Sequence, residues 1–283
     1  MNNQTRGSIL VIASAIIWGT VGTVTRFAGS VDAATISFYR FLFGTITIFI
    51  IILFSKKLPE ILPRKKTLYV ILLGIVVALT VGFLTLSIKT STIANALLLF
   101  YTAPVFATFL SRIFLKEKIK KTSFISLVLC VIGIIFILGN EFQTSLWLGT
   151  IFGLIGGISY ASQMTVGRYL KEYSGLLTTF WMSVIAALLI LPFASPLSVP
   201  GDKFPILMLL GITISGIAPF LFMEGIRYVK TQDAGIISML DPFTNVILGA
   251  LIFYEIPTPL TIIGGISILA AVLFQIKSAK NKS

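Results

Sequence analysis

Histidine is absent from the chain, and cysteine occurs once, at Cys130 inside an apolar run. A single thiol cannot form a disulfide within the chain, and the usual zinc ligand sets of cysteine and histidine cannot be assembled. Catalytic arrangements that depend on a histidine base are excluded on the same ground. The chain also lacks a P-loop, a dinucleotide fingerprint and an ATPase domain. The sequence therefore predicts no metal, no cofactor and no enzymatic activity.

Charged residues are scarce, whereas apolar residues are abundant. Only 11% of the 283 residues are charged and 56% are hydrophobic, and the mean hydropathy is +1.00. A soluble domain of this size does not have such a composition, so most apolar segments must face lipid or protein. The net charge of +12 comes from basic residues in short gaps between apolar runs. No contiguous basic face with stacking aromatics is present, which excludes a nucleic-acid partner and leaves membrane lipids.

Ten apolar stretches are long enough to cross a bilayer, whose ~30 Å hydrocarbon core requires ~20 helical residues. We number them as segments 1 to 10. No gap between them is long enough for a soluble domain. The predicted spans are 8–28, 33–54, 67–88, 91–113, 120–139, 146–169, 174–194, 204–227, 232–254 and 258–277.

The distribution of Lys and Arg between alternate gaps predicts the orientation. If the N-terminus is cytoplasmic, eighteen basic residues lie on the inner side, and only Arg26, Lys89 and Lys203 lie on the outer side. An excess of Lys and Arg in short loops marks the cytoplasmic face. We therefore expect a multi-pass protein of the cell membrane with both termini in the cytoplasm.

The two halves of the chain are related in sequence. A shift of 142 residues aligns Trp18 with Tyr160, and a shift of 138 residues aligns Pro104 with Pro242. Because each unit has five helices, an odd number, the second copy must cross the membrane upside down relative to the first. The predicted fold is thus all-α, with ten transmembrane helices arranged as two inverted five-helix repeats around a central cavity. The repeats are predicted to span 8–139 and 146–277.

Six short motifs are spread over both halves of the chain: Trp18-Gly19, Phe38-Tyr39-Arg40-Phe41, Tyr101-Thr102-Ala103-Pro104, Leu115-Lys116-Glu117, Leu240-Asp241-Pro242-Phe243 and Tyr254-Glu255. Together they resemble the EamA family of the drug/metabolite transporter superfamily, and the resemblance covers nearly the whole chain. It implies a ten-helix basket whose central cavity is lined mostly by segments 1, 3, 4, 6, 8 and 9. It also implies a secondary carrier that exports or imports small metabolites, with substrates that vary widely across the family.

Two prolines occupy matching positions in the middle of segments 4 and 9. Pro104 and Pro242 each lack an N–H and free the carbonyl four residues earlier, on Phe100 and Ser238. Inverted-repeat carriers often build a site near the bilayer midplane from such interrupted helices. Both prolines are therefore candidates to line a substrate cavity, and the alternative is that they only kink the helices for packing.

A polar stripe runs along one face of segment 9. Ser238, Asp241 and Asn245 are spaced at i, i+3 and i+7, so they share a helix face. Polar side chains at this depth must face protein or water rather than lipid. We expect this stripe to contribute to substrate binding, with Asp241 also a candidate for proton coupling. The alternative for Asp241 is a buried acid that is paired structurally or protonated.

Glu224 is a second candidate for proton coupling, although a local pair with Arg227 would make it structural.

The remaining candidate substrate-binding residues are a cation and four polar or aromatic side chains. Arg40 lies within segment 2, where it would attract a carboxylate or phosphate or form a gate, or else reach outward to the interface. Trp18 and Tyr160 lie mid-helix, away from the interfacial belts where such residues collect, and would stack on an organic solute or simply pack. Asn95 and Tyr101 of segment 4 are candidates of the same kind.

Together these features predict a secondary transporter that moves a small organic metabolite, such as an amino acid or related compound, by alternating access, with efflux as the expected direction. A membrane-embedded enzyme acting on lipid-linked substrates is the first alternative, but it would need polar residues clustered at one membrane face. A passive pore is the second alternative. A homodimer is one arrangement that the sequence leaves open.

Overall fold

The computed structural model describes residues 2–56, 58–63, 65–91, 93–138, 147–254 and 258–280, and these residues contain no β-strand. A π-helical segment, Gly211–Ile217, joins two of the helices, and short 3-10 turns occupy Leu58–Ile61, Leu191–Phe193, Pro196–Ser198 and Gly201–Lys203. The α-helices are α1 (Asn3–Trp18), α2 (Val21–Arg26), α3 (Ala33–Phe54), α4 (Thr67–Thr90), α5 (Ile93–Phe100), α6 (Ala103–Phe114), α7 (Lys121–Leu138), α8 (Trp147–Tyr169), α9 (Gly175–Ile190), α10 (Phe204–Leu210), α11 (Ala218–Gly225), α12 (Thr231–Ser238), α13 (Leu240–Phe253) and α14 (Pro259–Lys280).

By length and composition, eight stretches of the described chain can cross a membrane, compared with the ten predicted. α7 and α8 occupy the positions of segments 5 and 6 but are not among the eight. α8 has 23 residues, but five buried glycines and Gln163 lower its hydropathy. The eight stretches are Asn3–Arg26, Ala33–Phe54, Thr67–Thr90, Ala96–Phe114, Gly175–Phe193, Gly201–Gly225, Thr231–Ile252 and Pro259–Lys277.

Three of these stretches are interrupted near their middles. The helix of segment 4 stops at Phe100 and resumes at Ala103, and that of segment 9 stops at Ser238 and resumes at Leu240. Both interruptions lie immediately before the prolines at 104 and 242, because a proline ring cannot continue the hydrogen-bond ladder of the preceding turn. Segment 1 is also interrupted, between Trp18 and Val21, although no proline is present there.

The two ends of the bundle are distinguished by their contacts. At one end, Ile276 shares a groove with Asn2 and Gln4, so the first and last described helices meet there. The loops around Lys66 and Glu172, which form an ion pair, lie at the same end, because Arg227 Nε donates to the Lys171 carbonyl and Arg6 of α1 lies over the neighbouring Tyr228 ring. We call this the terminus end. Arg168 lies at this end too, because its Nη1 donates to the Arg227 carbonyl.

At the opposite end, α3 is tied to the loop after α9. The Ser195 N–H donates to Thr35 Oγ1 at 2.8 Å, and the Tyr39 hydroxyl donates to the Pro196 carbonyl at 3.1 Å. Asp32 caps α3, with its Oδ1 accepting from the Thr35 N–H at 2.9 Å. Burial raises the pKa of Asp32, but hydrogen bonds from Thr35 and Ala34 and attraction by Lys89 outweigh burial and hold it below the usual 3.8.

Large apolar side chains cover the outside of the bundle, as lipid contact requires. Phe114, Phe124 and Ile266 are each at least 60% exposed. In water such a surface would be an aggregation patch, whereas lipid tails solvate it at no cost. The main core lies inside and is formed by side chains from both halves of the chain, including Val11, Leu73, Met164 and Phe222.

Candidate functional site

The interruption of segment 1 lies directly against the start of α13. A methyl group on Gly19 would lie 2.8 Å from the Asp241 carbonyl oxygen and 2.4 Å from Thr244 Cβ, so only glycine allows this approach. One turn later, the Asn245 side chain occupies the space beside Gly22, with Oδ1 2.5 Å from the position of an added Cβ. The contact brings the unwound part of segment 1 to the polar stripe of segment 9.

Four aromatic rings meet at this crossing, and we call them the aromatic cluster: Trp18, Phe100, Tyr160 and Phe222. The Trp18 and Tyr160 rings make an edge contact with centroids 6.3 Å apart. Tyr160 stacks on Phe100 at 5.0 Å with planes 10° apart, and Trp18 lies 5.2 Å from Phe222. The two aromatic residues that the repeat relates, Trp18 and Tyr160, are therefore neighbours in space.

The π segment fixes the position of Trp18. A π-helical turn disturbs the regular hydrogen-bond ladder and leaves carbonyl groups available to side chains. Trp18 Nε1 donates to the Ile214 carbonyl at 3.0 Å, and Ser14 Oγ donates to the Ala218 carbonyl at 2.8 Å. These two bonds hold the end of α1 against segment 8. They orient the indole ring toward the other rings of the aromatic cluster.

Asp241 adjoins the aromatic cluster with an incomplete set of partners. Tyr101 lies within hydrogen-bonding reach of its carboxylate, and Tyr160 lies within reach of Ser238. The second oxygen of the carboxylate, Oδ1, is buried and has no hydrogen-bond partner. None of the ion pairs between described residues includes Asp241. The residue as a whole is half-buried, whereas Tyr101 and Ser238 are buried.

The prolines pack between segments 4 and 9. Pro104 is buried and lies 3.3 Å from the position that a Cβ on Gly235 would take, so the interruption of segment 4 rests on α12. Near the freed carbonyl of Phe100, a methyl on Gly157 of α8 would lie 3.3 Å away. Pro242 is buried as well. Most of the predicted site residues thus gather where three interrupted helices and α8 converge. They are both prolines and Trp18, Tyr101, Tyr160, Ser238, Asp241 and Asn245.

Two predicted site residues are not placed within that group. The Arg40 carbonyl oxygen lies 3.1 Å from the position of a Cβ on Gly211 of the π segment, and its Nε is buried without a partner. Among the described residues, no acid forms an ion pair with Arg40. The side chain of Asn95 lies outside the described part of the structure, as does all of Glu255.

Glu224 belongs to a polar network at the terminus end rather than to the central site. Arg227 Nη1 donates to both of its carboxylate oxygens at 2.7 Å, as the spacing of the two residues predicted. The Gly175 N–H and the Tyr228 hydroxyl donate to the same carboxylate at 2.9 and 3.3 Å. A carboxylate that accepts four hydrogen bonds from three donor groups has the contacts of a structural acid.

The same end contains a connection that the sequence did not reveal. Arg168 Nε donates to Glu117 at 3.2 Å, and its Nη1 donates to the Ile226 and Arg227 carbonyls at 2.8 and 2.5 Å. Glu117 also accepts from the Thr231 N–H at 3.0 Å. Glu117, the last residue of the Leu115-Lys116-Glu117 motif, therefore links the end of α6 to α8 and α12.

A second buried acid, Asp233, was also missed. It is 2% exposed in the first turn of α12 and contacts Ser123 of α7 and Gln275 of α14. The polar run Thr231-Gln232-Asp233 at the start of an apolar segment was the available signal. Two surface grooves, of about 360 Å³ beside Pro196 and about 160 Å³ beside Ile276, contain none of the predicted site residues.

Comparison with known proteins assigns the class. The sequence profile of the EamA-like transporter family matches residues 5–139 and 147–276, so the chain belongs to that family. It is a multi-pass membrane protein and a transporter of the drug/metabolite transporter superfamily. The resemblance read from the short motifs is confirmed.

Three relatives illustrate the family. An uncharacterised transporter of Archaeoglobus fulgidus is 30% identical over 270 residues, covering 94% of this chain and 95% of the relative. The pseudopaline exporter CntI of Pseudomonas aeruginosa is 23% identical and covers 97% of both chains. The S-adenosylmethionine uptake transporter of Rickettsia conorii is 21% identical, covering 91% and 87%. A solved crystal structure matches in fold with a TM-score of 0.85 at 16% identity, covering 96% of this chain and 98% of that one.

Proposed function

We propose that this transporter is a secondary carrier that moves a small amino-bearing organic metabolite, such as an amino acid or related compound, by alternating access. The observation that carries the proposal is the unpartnered, buried Oδ1 of Asp241 beside four aromatic rings. A carboxylate inside a membrane protein costs several kcal/mol unless a cation or hydrogen bonds compensate it. A substrate ammonium group would supply that cation.

The aromatic cluster suits the same substrate. A cation held over an aromatic face gains about 0.5 to 2 kcal/mol, more when water is excluded. Trp18 and Tyr160 lie on the two repeat-related segments, and a solute bound beside their edge contact would touch both rings. Pro104 and Pro242 would free backbone carbonyls for further hydrogen bonds, and Asn245 and Asn95 would add amide groups. Arg40 lies apart from the carboxylate, and we assign it to a gate or to structure.

The proposed architecture is ten membrane-crossing segments in two inverted repeats, 8–139 and 146–277. The exchange of contacts between the halves supports it. α1 packs on α11, α12 and α13, whereas α8 packs on α4, α5 and α6. These are corresponding segments with the halves interchanged, as an axis lying in the membrane plane requires. The separate matches of the family profile to 5–139 and 147–276 support the same division.

One pair of glycine contacts illustrates this symmetry in detail. A Cβ on Gly7 would lie 2.9 Å from the Gly225 carbonyl, and one on Gly149 would lie 2.6 Å from Ser91 Oγ. Ser87 Oγ donates to the Gly149 carbonyl at 2.7 Å. Position 149 is the repeat equivalent of 7, and 225 is the equivalent of 87, so the same close approach recurs with the halves exchanged.

We place the protein in the cell membrane with both termini in the cytoplasm, because the basic loops gather at the terminus end and such loops remain on the cytoplasmic side.

Export is the direction we propose. The named relatives include an exporter and an uptake protein, so uptake is the competing direction. Of the two candidate proton sites, Asp241 is the one we keep, since proton and substrate ammonium would compete for its free oxygen. The carriers would act singly or as a homodimer.

The test is reconstitution into liposomes with a panel of amino acids, amines, nucleosides and sugars, with and without a proton gradient. We expect saturable counterflow of an amino-bearing solute that Asp241→Asn reduces at least tenfold. Asp202→Asn, at an exposed position outside the bundle core, is the matched control and should leave the flux unchanged. Equal flux and pH dependence in Asp241→Asn would remove the proposed role of this carboxylate.

Two readouts in the same assay separate the alternative functions. A flux that rises linearly with solute concentration would identify a pore. A solute recovered in chemically altered form would identify an enzyme.

A further inference from the structure

We infer that Asp233, Gln275 and Ser126 form a binding site for a small monovalent cation of the sodium class, separate from the central site. With Ser123 these residues make up what we call the Asp233 cluster, which lies where α7, α12 and α14 meet near the terminus end. The inference rests on the proposed function only for its effect on transport, since the binding itself is a property of the folded protein.

The cluster is buried and tightly connected. Gln275 Nε2 donates to Asp233 Oδ1 at 2.5 Å and to Ser123 Oγ at 3.1 Å, and Ser123 Oγ donates to Asp233 Oδ1 at 3.3 Å. None of the three residues is more than 2% exposed. The Gln275 amide must present its NH2 group to Asp233, because a carboxylate offers only acceptors. Its carbonyl oxygen is therefore left as a free acceptor.

Several oxygens of this region lack any donor. Asp233 Oδ2, Gln275 Oε1 and Ser126 Oγ are buried without a hydrogen-bond partner, and the adjacent Gln232 Oε1 and Thr231 Oγ1 share that condition. Ser126 is three residues from Ser123 on α7, so both hydroxyls lie on the face that α12 and α14 cover. Each unsatisfied buried group costs about 1 to 3 kcal/mol, so several together require a compensating ligand.

The chemistry of these groups selects a cation of low charge. Oxygen ligands from a carboxylate, an amide and a hydroxyl suit hard cations rather than zinc or copper. One carboxylate balances one positive charge, and the described residues contain no group of three His, Cys, Asp or Glu side chains that would hold a divalent metal. A single proton on Asp233 Oδ2 would make that oxygen a donor to at most one of the other free oxygens. A sodium ion would satisfy several at once.

Charged neighbours do not replace the ligand. Lys120 and Lys230 attract the Asp233 carboxylate and Glu117 repels it. However, no ion pair between described residues includes Asp233. The lysines lower the free-energy cost of burying the charged carboxylate, but neither donates a hydrogen bond to its free oxygen. They also favour a monovalent over a divalent ion, because their charge adds to that of the ligand.

The position of the cluster gives the ion a defined effect. An ion bound between α12 and the α7–α14 pair would hold the inner half of segment 9 in place. Asp233 and Asp241 are separated by eight residues, or about 12 Å along a helix. The interruption at Met239 lies between them. Occupation of the cluster would therefore stabilise the α12 side of the central site and raise substrate affinity.

The first experiment needs no transport substrate. The full-length protein in detergent is heated with a thiol-reactive dye, and exposure of Cys130, the single and buried cysteine, reports unfolding. Titration with sodium chloride against choline chloride, at fixed ionic strength, should raise the midpoint of wild type saturably, because a ligand that binds only the folded state stabilises it. Potassium should have a weaker effect. Sodium-22 dialysis should give one ion per chain.

Variants assign the effect to the cluster. Asp233→Asn should weaken the sodium response at least tenfold, and Ser126→Ala, which removes one ligand only, should weaken it severalfold. Asp241→Asn should respond as wild type does. If Asp233→Asn fails to fold, two other measurements test the inference: the sodium response of Ser126→Ala, and the preference of wild type for sodium over potassium. No sodium response in wild type, an equal response in Asp233→Asn, or a response to pH alone would each overturn the inference. Those outcomes leave the liposome test of the carrier untouched, whereas loss of flux with sodium binding intact would count against the carrier alone.

Discussion

The close approach of segments 1 and 9 at Gly19 can be tested by adding a single methyl group. In Gly19→Ala the new Cβ would lie 2.4 Å from Thr244 Cβ and 2.8 Å from the Asp241 carbonyl, where ordinary contacts are 3.4 to 4 Å. The helices must therefore separate by about 1 Å, because packed backbone cannot be compressed. Overpacking of this kind costs about 1 to 3 kcal/mol.

Both stability and transport should respond. The unfolding midpoint should fall by roughly 3 to 10 °C, given about 2 to 4 °C per kcal/mol for a chain of this size. Separation of α13 from segment 1 would also move Asp241 relative to Trp18, so substrate affinity should decrease. The dye assay on Cys130 measures the first effect, and counterflow in liposomes measures the second.

Gly82 provides the matched control, since a methyl group added there meets no atom within 4 Å. Gly82→Ala in the middle of α4 should be neutral or stabilising by up to about 1 kcal/mol, because alanine favours helix. Combining Gly19→Ala with Thr244→Gly should recover part of the lost stability, as expected for residues in contact. If Gly19→Ala were as stable as Gly82→Ala, the described crossing of segments 1 and 9 would be wrong.

Three further predictions concern single polar contacts. Glu117→Gln breaks a partly buried ion pair and should lower the unfolding midpoint by several degrees, whereas Glu172→Gln, at an exposed pair, should leave it unchanged. Asp32→Ala should cost about 1 kcal/mol by loss of the α3 cap. Since the pKa of Asp32 is lowered in the folded state, its ionised form adds stability above pH 3.8 that is lost as pH falls through the folded value, and Asp32→Asn should remove that part of the acid sensitivity. Trp18→Phe removes the donor to Ile214 and should cost about 1 to 3 kcal/mol in the same dye assay.

The sequence predicted those features of the fold that depend on local chemistry. Apolar runs of about twenty residues located the helices, since lipid requires that length. The interruptions before Pro104 and Pro242 followed from the missing proline N–H. The contact between Glu224 and Arg227 followed from a spacing of three residues on one helix. Each inference needed only residues close together in the chain.

The features that escaped prediction depend on partners distant in sequence. Segment 1 is interrupted at Gly19, where Thr244 approaches it. The residues around Gly19 do not indicate a neighbour 225 residues away. Arg168 and Glu117 are 51 residues apart, and either residue alone is typical of a helix end. The buried contact of Asp233 could not be predicted for the same reason, because its partner Ser123 is 110 residues distant.

The distribution of unsatisfied polar atoms connects the two proposed sites. Within the described residues, nine buried side-chain atoms lack a hydrogen-bond partner, and five of them belong to the Asp233 cluster and its neighbours Thr231 and Gln232. A sixth is Asp241 Oδ1. Membrane proteins satisfy buried polar groups internally because lipid offers no alternative, so such atoms persist mainly where a ligand completes them. Both acids lie on segment 9, on either side of its interruption at Met239. A ligand at one site would therefore bias the position of the half-helix that forms the other.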